Sequence, residues 1–404
     1  MTRNVVTKKT LLMLLCVLVF VAAFCAMPGK TVHAAEPSIK SKIKDNKQFD
    51  LTNKYMKSWL KHYYYKSIGK ADWWGLIPQK SEKKSYPAQV RLKWKTKGIK
   101  AKKYVVRVST DPQMKKAKKY IADKKYIDID NLMTGQQYFW QVYVKGKKSV
   151  TTPINKFKTK EGFRTIRMPG VSNVRDLGGK KVPGGVVKQG MLFRSGRMDK
   201  DNIKPEAIKI ANKDLKIKTE FDLRKPGTTI GEEATGSSSV LGSKVKYITL
   251  KGTGATQFPY LFRHLFPSFW PDAKIPDPEL NKNLIAQEIR VLANKNYYPI
   301  VFHCKIGRDR TGTLAFIVGG LLGEDRLDLF KDYEMSYYSG DGCEHGTATT
   351  QSISARPKVI YNEINKYGRG KDSFSKRVEL FLRDCGVSKK DINKVKRNLI
   401  EYDD

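Results

Sequence analysis

The run His303-Cys304-Lys305-Ile306-Gly307-Arg308-Asp309-Arg310-Thr311-Gly312 constrains this chain more than any other stretch. It reads H-C-x-x-G-x-x-R-T-G, and two apolar segments of different texture bracket it. Residues 297–302 (YYPIVF) predict a buried strand, and residues 313–322 (TLAFIVGGLL) predict a buried helix. The ten residues therefore sit where a strand hands over to a helix N-terminus, a junction whose backbone N–H groups hold anions.

Each residue type in the run has a physical task. Cys304 is the candidate nucleophile, because a helix N-terminus and nearby cations lower a thiol pKa. Gly307 lets the backbone turn tightly enough for successive N–H groups to form an anion nest. Arg310 offers a permanently charged fork for two phosphate oxygens. Thr311 can donate to the departing sulfur, and His303 can orient the cysteine from behind. Lys305, Ile306 and Arg308 complete the loop. These parts imply two-step phosphoryl transfer through a phosphocysteine, with Arg310 and the amides carrying the charge and no metal or cofactor required. A buried structural cysteine would account for Cys304 alone, not for Gly307, Arg310 and Thr311-Gly312 at their spacing.

The loop resembles that of the cysteine-dependent protein tyrosine phosphatase superfamily. Its D-R-T-G ending resembles the bacterial secreted branch of tyrosine and lipid phosphatases, which also carries an N-x-R-D-L-G-G segment. This chain has Asn173-Val174-Arg175-Asp176-Leu177-Gly178-Gly179, then 190–196 (GMLFRSG), Phe221-Asp222-Leu223-Arg224 and Asp332-Tyr333-Glu334, in that family's order. The resemblance covers residues 163–404. It implies an α/β domain, a mainly parallel sheet flanked by helices, over 161–404. Alternating segments agree: strands at 217–223, 245–250 and 298–302, helices at 284–294 and 313–322.

Protonating the leaving oxygen requires a carboxylic acid, and three compete. Asp309 lies inside the loop, and the resemblance favours it. Asp272, in Trp270-Pro271-Asp272, resembles the mobile Trp-Pro-Asp loop of animal tyrosine phosphatases, and the aromatic and proline-rich segment 251–279 is a candidate lid. Asp222 ends a predicted strand. The order of preference is Asp309, Asp272, Asp222, and the sequence leaves all three open.

Arg3, Lys8 and Lys9 precede an apolar run over 11–27, and Val32-His33-Ala34 forms a small-x-small site before Ala35. Residues 1–34 read as a cleaved secretory signal peptide, with an uncleaved anchor as the alternative, so the chain is expected outside a bacterial cell or at its surface. Removing four basic residues with the signal lowers the formal charge of +39 by four. The remaining excess suits an anionic wall, an acidic membrane surface or a polyphosphorylated substrate. The lysines are scattered and no nucleic-acid motif appears, so no specific nucleic acid is expected. Cys304, Cys343 and Cys385 outlast the signal; they make no disulfide framework, and a Cys343–Cys385 pair stays open.

Residues 35–74 read as a lysine-rich linker with a short helix at 51–64. Over 75–160 the texture turns to alternation, as in Val90-Arg91-Leu92-Lys93-Trp94, Tyr104-Val105-Val106-Arg107-Val108 and 138–144 (YFWQVYV), which predicts a small β-sandwich. The spacing of Leu132 and Tyr138 resembles the tyrosine corner of fibronectin type III domains, with Trp94 as the core tryptophan. A spacer or packing role is expected of it.

Lys305 and Arg308 add cations beside Arg310, as in the phosphoinositide phosphatases the loop resembles. Phosphotyrosine proteins, phosphoinositides and soluble inositol phosphates all remain candidate substrates, with dual specificity among the outcomes. The rival from another class is a catalytically dead phosphate-binding or wall-adhering module.

Overall fold

The computed structural model describes residues 36–62, 85–227, 233–250, 278–338 and 350–403. The signal segment, Cys343 and the candidate lid with Asp272 lie outside the described residues, apart from the lid's last two positions. No helix among the described residues is long and apolar enough to cross a membrane.

The N-terminal region is strand-rich. Its elements are β1 (Ser38–Ser41), β2 (Lys47–Phe49), α1 (Lys54–His62), β3 (Val90–Lys97), β4 (Tyr104–Ser109), β5 (Lys118–Ala122), β6 (Tyr126–Ile129), β7 (Gln137–Val144), β8 (Lys147–Thr151) and β9 (Asn155–Thr159). One sheet has the order β1-β3-β6, the other β2-β9-β7-β4-β5 with β8 on β7. The alternation on β3 works as read: Val90, Leu92 and Trp94 are buried while Arg91, Lys93 and Lys95 are exposed. Residues from both sheets, among them Ile39, Trp94, Tyr104, Val106, Trp140 and Phe157, share one core. The Met133 amide donates to the Tyr138 hydroxyl (2.8 Å), closing the loop that the tyrosine was expected to close.

The linker expected over 35–74 needs correcting. β1 pairs antiparallel with β3, and β2 pairs parallel with β9, so residues 38–49 are part of the two sheets. The lysines that made this stretch look like a linker are the solvent half of an alternating pattern whose other half is Ile39. Helix α1 ends at His62 and buries Met56 and Trp59 against Met335 of the C-terminal region.

That region continues with β10 (Arg164–Thr165), β11 (Arg175–Asp176), β12 (Lys181–Val182), β13 (Gly185–Val187), β14 (Leu192–Ser195), α2 (Pro205–Lys209), β15 (Thr219–Asp222), β16 (Lys225–Gly227), β17 (Glu233–Thr235), β18 (Lys246–Thr249), α3 (Pro278–Ala293), β19 (Ile300–His303), α4 (Arg310–Leu322), α5 (Arg326–Glu334), α6 (Thr350–Asn365), α7 (Phe374–Asp384), α8 (Lys389–Leu399) and β20 (Ile400–Tyr402). The main sheet has the order β10-β11-β14-β19-β15-β18; its last four strands are mutually parallel, and β10 and β11 are antiparallel additions. Helices and strands thus mix as an α/β fold requires. Both faces are covered. Ile300 and Phe302 pack into a core with α3, α4, α7 and α8, while Val301 packs into the opposite core with Ala207, Ile210 and Leu215. A strand buried on both faces reads as an unbroken apolar run, which is why 300–302 does.

The loop 131–134 joins the two regions. Arg164 donates to the carbonyls of Leu132 (3.1 Å) and Asn131 (2.9 Å) and pairs with Asp176 at 2.6 Å. Gln189 exchanges bonds with the Thr134 amide (3.0 Å) and carbonyl (2.7 Å).

Candidate active site

β19 is an inner strand of the parallel set, and Cys304 follows it directly at its C-terminal end, where open α/β sheets bind ligands. The loop 304–309 leads into α4, which is buried from Thr311 to Leu322 and begins at Arg310. Gly307 has φ +74°, and a Cβ there would lie 2.2 Å from the Ser195 carbonyl oxygen. Only glycine fits both demands.

The loop's carbonyls are anchored from behind. Lys305 O accepts from the Arg197 amide (2.9 Å), Ile306 O from Asn173 Nδ2 (3.2 Å), and Gly307 O from Asn173 Nδ2 (2.9 Å) and Arg194 Nη2 (2.7 Å). In a trans peptide the N–H points opposite to the carbonyl. Three successive carbonyls turned to the backing therefore aim the amides of Ile306, Gly307 and Arg308 into the loop, which is an anion nest.

The backing consists of the other motif segments. Arg175 Nε (2.7 Å) and Arg194 Nη1 (2.5 Å) grip the two oxygens of Asp332, and Arg175 also donates to the side chain of Asn173. All three charged groups are buried. Burial would raise the Asp332 carboxyl, but Arg175 and Arg194 outweigh it and hold the group well below its usual range. Burial and the neighbouring Arg194 pull Arg175 down to about 10, which leaves it charged at neutral pH.

A second buried network faces His303. Its Nε2 meets Glu220 Oε1 at 3.1 Å and its Nδ1 meets the Cys304 carbonyl at 3.3 Å, with Asp222 3.8 Å away. Burial opposes the imidazolium, yet Asp222 and Glu220 together raise its pKa. A ring carrying both protons donates on both sides, to Glu220 and to the carbonyl of Cys304. Ser239 donates to the other oxygen of Glu220. Sequence reasoning missed Glu220, Ser239 and Asp199, whose carboxylate accepts from Arg224 Nη1 (3.0 Å) and Nη2 (2.7 Å). The signal was present: Glu220 and Asp222, two apart in an apolar strand beside β19, put two acids on one face.

Cys304 is 3 % exposed. Burial alone would raise its thiol pKa; the Arg310 guanidinium, helped by the Thr311 hydroxyl and amide, brings it below the ordinary value.

The acid candidates separate. Asp222 is fully buried and accepts from the Arg224 amide (3.0 Å), Arg224 Nη2 (2.8 Å) and Tyr247 (3.0 Å). Burial would raise its pKa, but His303 and Arg224 hold it down, so it is a structural carboxylate and a poor proton donor. Asp309 is partly exposed on the loop, where Arg308 (3.1 and 3.2 Å) and the Tyr333 hydroxyl (3.2 Å) reach it. Asp272 lies outside the described residues. Arg308, in the loop as expected from its spacing, is 4 % exposed and turned onto Asp309, while Lys305 and Arg310 stay partly exposed. Cys385 is buried at the end of α7, and its suggested partner Cys343 is not among the described residues. No cluster of metal-ligating side chains occurs among the described residues.

No curated protein matches the chain. Among solved structures it is similar to the core catalytic domain of the PP-IP phosphatase SIW14 from S. cerevisiae in complex with citrate, at 16% identity and a TM-score of 0.25, covering 44% of this chain and 92% of that one. A second structure of the Siw14 catalytic core gives 15% identity and a TM-score of 0.28, covering 49% and 86%. Likeness at that level carries no argument about substrate. The model of the tyrosine phosphatase family matches residues 166–401, more than half of the chain and all of the loop with its backing. The chain belongs to the tyrosine phosphatase family and is a cysteine-based, tyrosine-phosphatase-like enzyme.

Proposed function

We propose that this enzyme hydrolyses phosphate monoesters, phosphotyrosine first among them, with Cys304 as nucleophile, Arg310 as phosphate clamp and Asp309 as general acid. The observation that carries the reading is the loop's orientation, with three carbonyls anchored behind and three amides aimed at the space Cys304 heads. In the first step the thiolate sulfur bonds to phosphorus, the ester P–O bond breaks, and Asp309 gives its proton to the departing oxygen. In the second step Asp309 takes a proton from water, the water oxygen bonds to phosphorus, and the S–P bond breaks. Thr311 supports the sulfur as it leaves with its electron pair. His303, held by Glu220, keeps the Cys304 backbone in place.

Lys305 at the mouth favours a second substrate reading, in which several phosphates on one molecule, as in inositol polyphosphates or phosphoinositides, gain affinity. Arg308 lends that reading less support than its sequence position suggested, because it is turned onto Asp309.

The wider organisation follows the same proposal. Residues 1–34 export the chain, and the strands within 38–49 and 90–159 form a fibronectin type III-like sandwich. The shared two-sheet core, buried Trp94 and the Met133–Tyr138 bond support that assignment. The phosphatase unit spans 161–404.

The test is phosphate release from an aryl phosphate without added metal. Vanadate is expected to block it, and Cys304→Ser to lower the rate by roughly four orders of magnitude or more. A Cys304→Ser protein as fast as the parent defeats the proposal and leaves the phosphate-binding module as the reading. A panel of phosphopeptides, phosphoinositides and inositol phosphates then ranks substrates, and Lys305→Gln is expected to lose most on the polyphosphorylated ones.

A further inference from the structure

The solvent face of the β1-β3-β6 sheet carries lysines that no carboxylate among the described residues balances. On β3 the exposed positions are Arg91, Lys93, Lys95 and Lys97, every second residue. Lys95 stands directly across from Lys40 on β1, and the amide of Lys42 bonds to Lys93 O. Like charges directly opposite each other on one sheet face destabilise it. The single acid on these three strands, Asp128, is taken by Arg91 through two bonds of 2.6 Å at one end of the row. Lys40, Lys42, Lys93, Lys95 and Lys97 have no carboxylate partner among the described residues.

Three of these cations, Lys42, Lys93 and Lys95, border a concavity. Lys42, Arg91, Lys93, Lys95, Lys125 and Tyr126 line a cleft of ≈ 370 Å³. We propose that it binds a linear polyanion with phosphodiester charges and no bases, of the poly(alditol phosphate) kind, lying along β3. Alternate residues of a strand are about 6.6–6.8 Å apart, a span close to that of successive phosphates in an extended phosphodiester chain. Each outward lysine then meets one phosphate, and the Lys40–Lys95 repulsion turns into a clamp.

The face suits neither of two other polyanionic partners. Single-stranded nucleic acid needs aromatic platforms for its bases. Here Trp94 is 1% exposed, and the Tyr126 ring is covered by Arg91 (4.5 Å) and Lys124 (5.8 Å). A membrane surface calls for apolar anchors beside the cations. Among the described residues the large exposed hydrophobics lie elsewhere, Ile121 on β5, Tyr402 on β20 and Ile154 in the turn between β8 and β9.

Fluorescence anisotropy of labelled poly(glycerol phosphate) with the purified protein tests the proposal. The variant Lys93→Gln/Lys95→Gln/Lys97→Gln is expected to bind roughly tenfold more weakly. Its log–log salt slope should be shallower by about two, since three cations are lost at about 0.7 each. Lys40→Gln/Lys42→Gln should move binding the same way. A control that removes three exposed cations elsewhere, Lys371→Gln/Lys389→Gln/Lys390→Gln, should barely change it. Aryl phosphate hydrolysis should be the same in all of them, which keeps this result separate from the Cys304 mechanism. The proposal is overturned if the control loses as much as the β3 variant, if a DNA oligonucleotide of equal charge binds as tightly as the polymer, or if acidic vesicles bind and the polymer does not.

Discussion

The phosphate loop's backing and the outer face of β3 are both rich in cations, and they treat them in opposite ways. Behind the loop, Arg175 and Arg194 are buried and locked onto Asp332, and Arg224 onto Asp199 and Asp222. Each of these side chains is spent on holding backbone or another side chain in place. On β3 the lysines are exposed, mobile by nature of their long stems, and unpaired with acids among the described residues. Positive charge in the first region is structural material, fixed before any ligand arrives. In the second it is a field that only a ligand could complete. Removing a charge should therefore wreck the first and spare, or even help, the second.

Asp332→Asn is expected to have the largest effect. It leaves two buried guanidinium groups facing a neutral amide, a loss of about 3–5 kcal/mol when one partner of a buried pair is removed. Thermal or urea unfolding measures it. Because the folded-state pKa of Asp332 lies below the unfolded one, its contribution is present above about pH 4 and is lost as pH falls further. The gap between parent and variant should narrow in acid. A constant gap would mean that the pairing is not what stabilises.

Asp309→Asn comes next, with kcat/KM for a phosphopeptide down roughly a hundredfold and the basic limb of the pH profile flattened. Asp222→Asn should instead lower stability, since Asp222 holds Arg224 and faces His303. If Asp309→Asn keeps its basic limb, the acid lies elsewhere, and Asp272 is the remaining candidate.

How far the sequence could take this distinction varies by residue. The loop and its flanking strand and helix were legible because their pattern is local. Asn173, Arg175, Arg194 and Asp332 were visible as motif letters, but not as one support. Residues 175 and 332 meet only through the strand order β11-β14-β19 and the return of α5. The partner of Arg308 was hidden for a related reason: spacing puts it in the loop, and only the folded loop turns it onto its neighbour Asp309. Residues 38–49 escaped notice because polar exposed positions such as Lys40, Lys47 and Gln48 mask two strands only four and three residues long.

Thr311→Ala is expected to act more mildly than Asp309→Asn. Burial raises the Cys304 pKa, and Thr311 is among the groups that bring it down, so its loss should move the pKa upward. The attacking form is the thiolate. The acid limb of kcat/KM, and the pH at which iodoacetamide reaches half its maximal rate, should both move to higher pH, with the rate at high pH largely kept.

Lys95→Gln should have the smallest effect and the most telling sign. It removes one half of the Lys40–Lys95 contact, so the protein should become more stable, by up to about 0.5 kcal/mol at low salt. Salt screens that repulsion in the parent, so the gain should shrink as ionic strength rises. A loss of stability would show that Lys95 supports the sheet, through its stem packing or a contact of its own, and the face would then be built like the loop's backing. A small gain that salt abolishes means the sheet keeps a repulsion that folding did not require, which is the signature expected of a surface kept for an anionic partner.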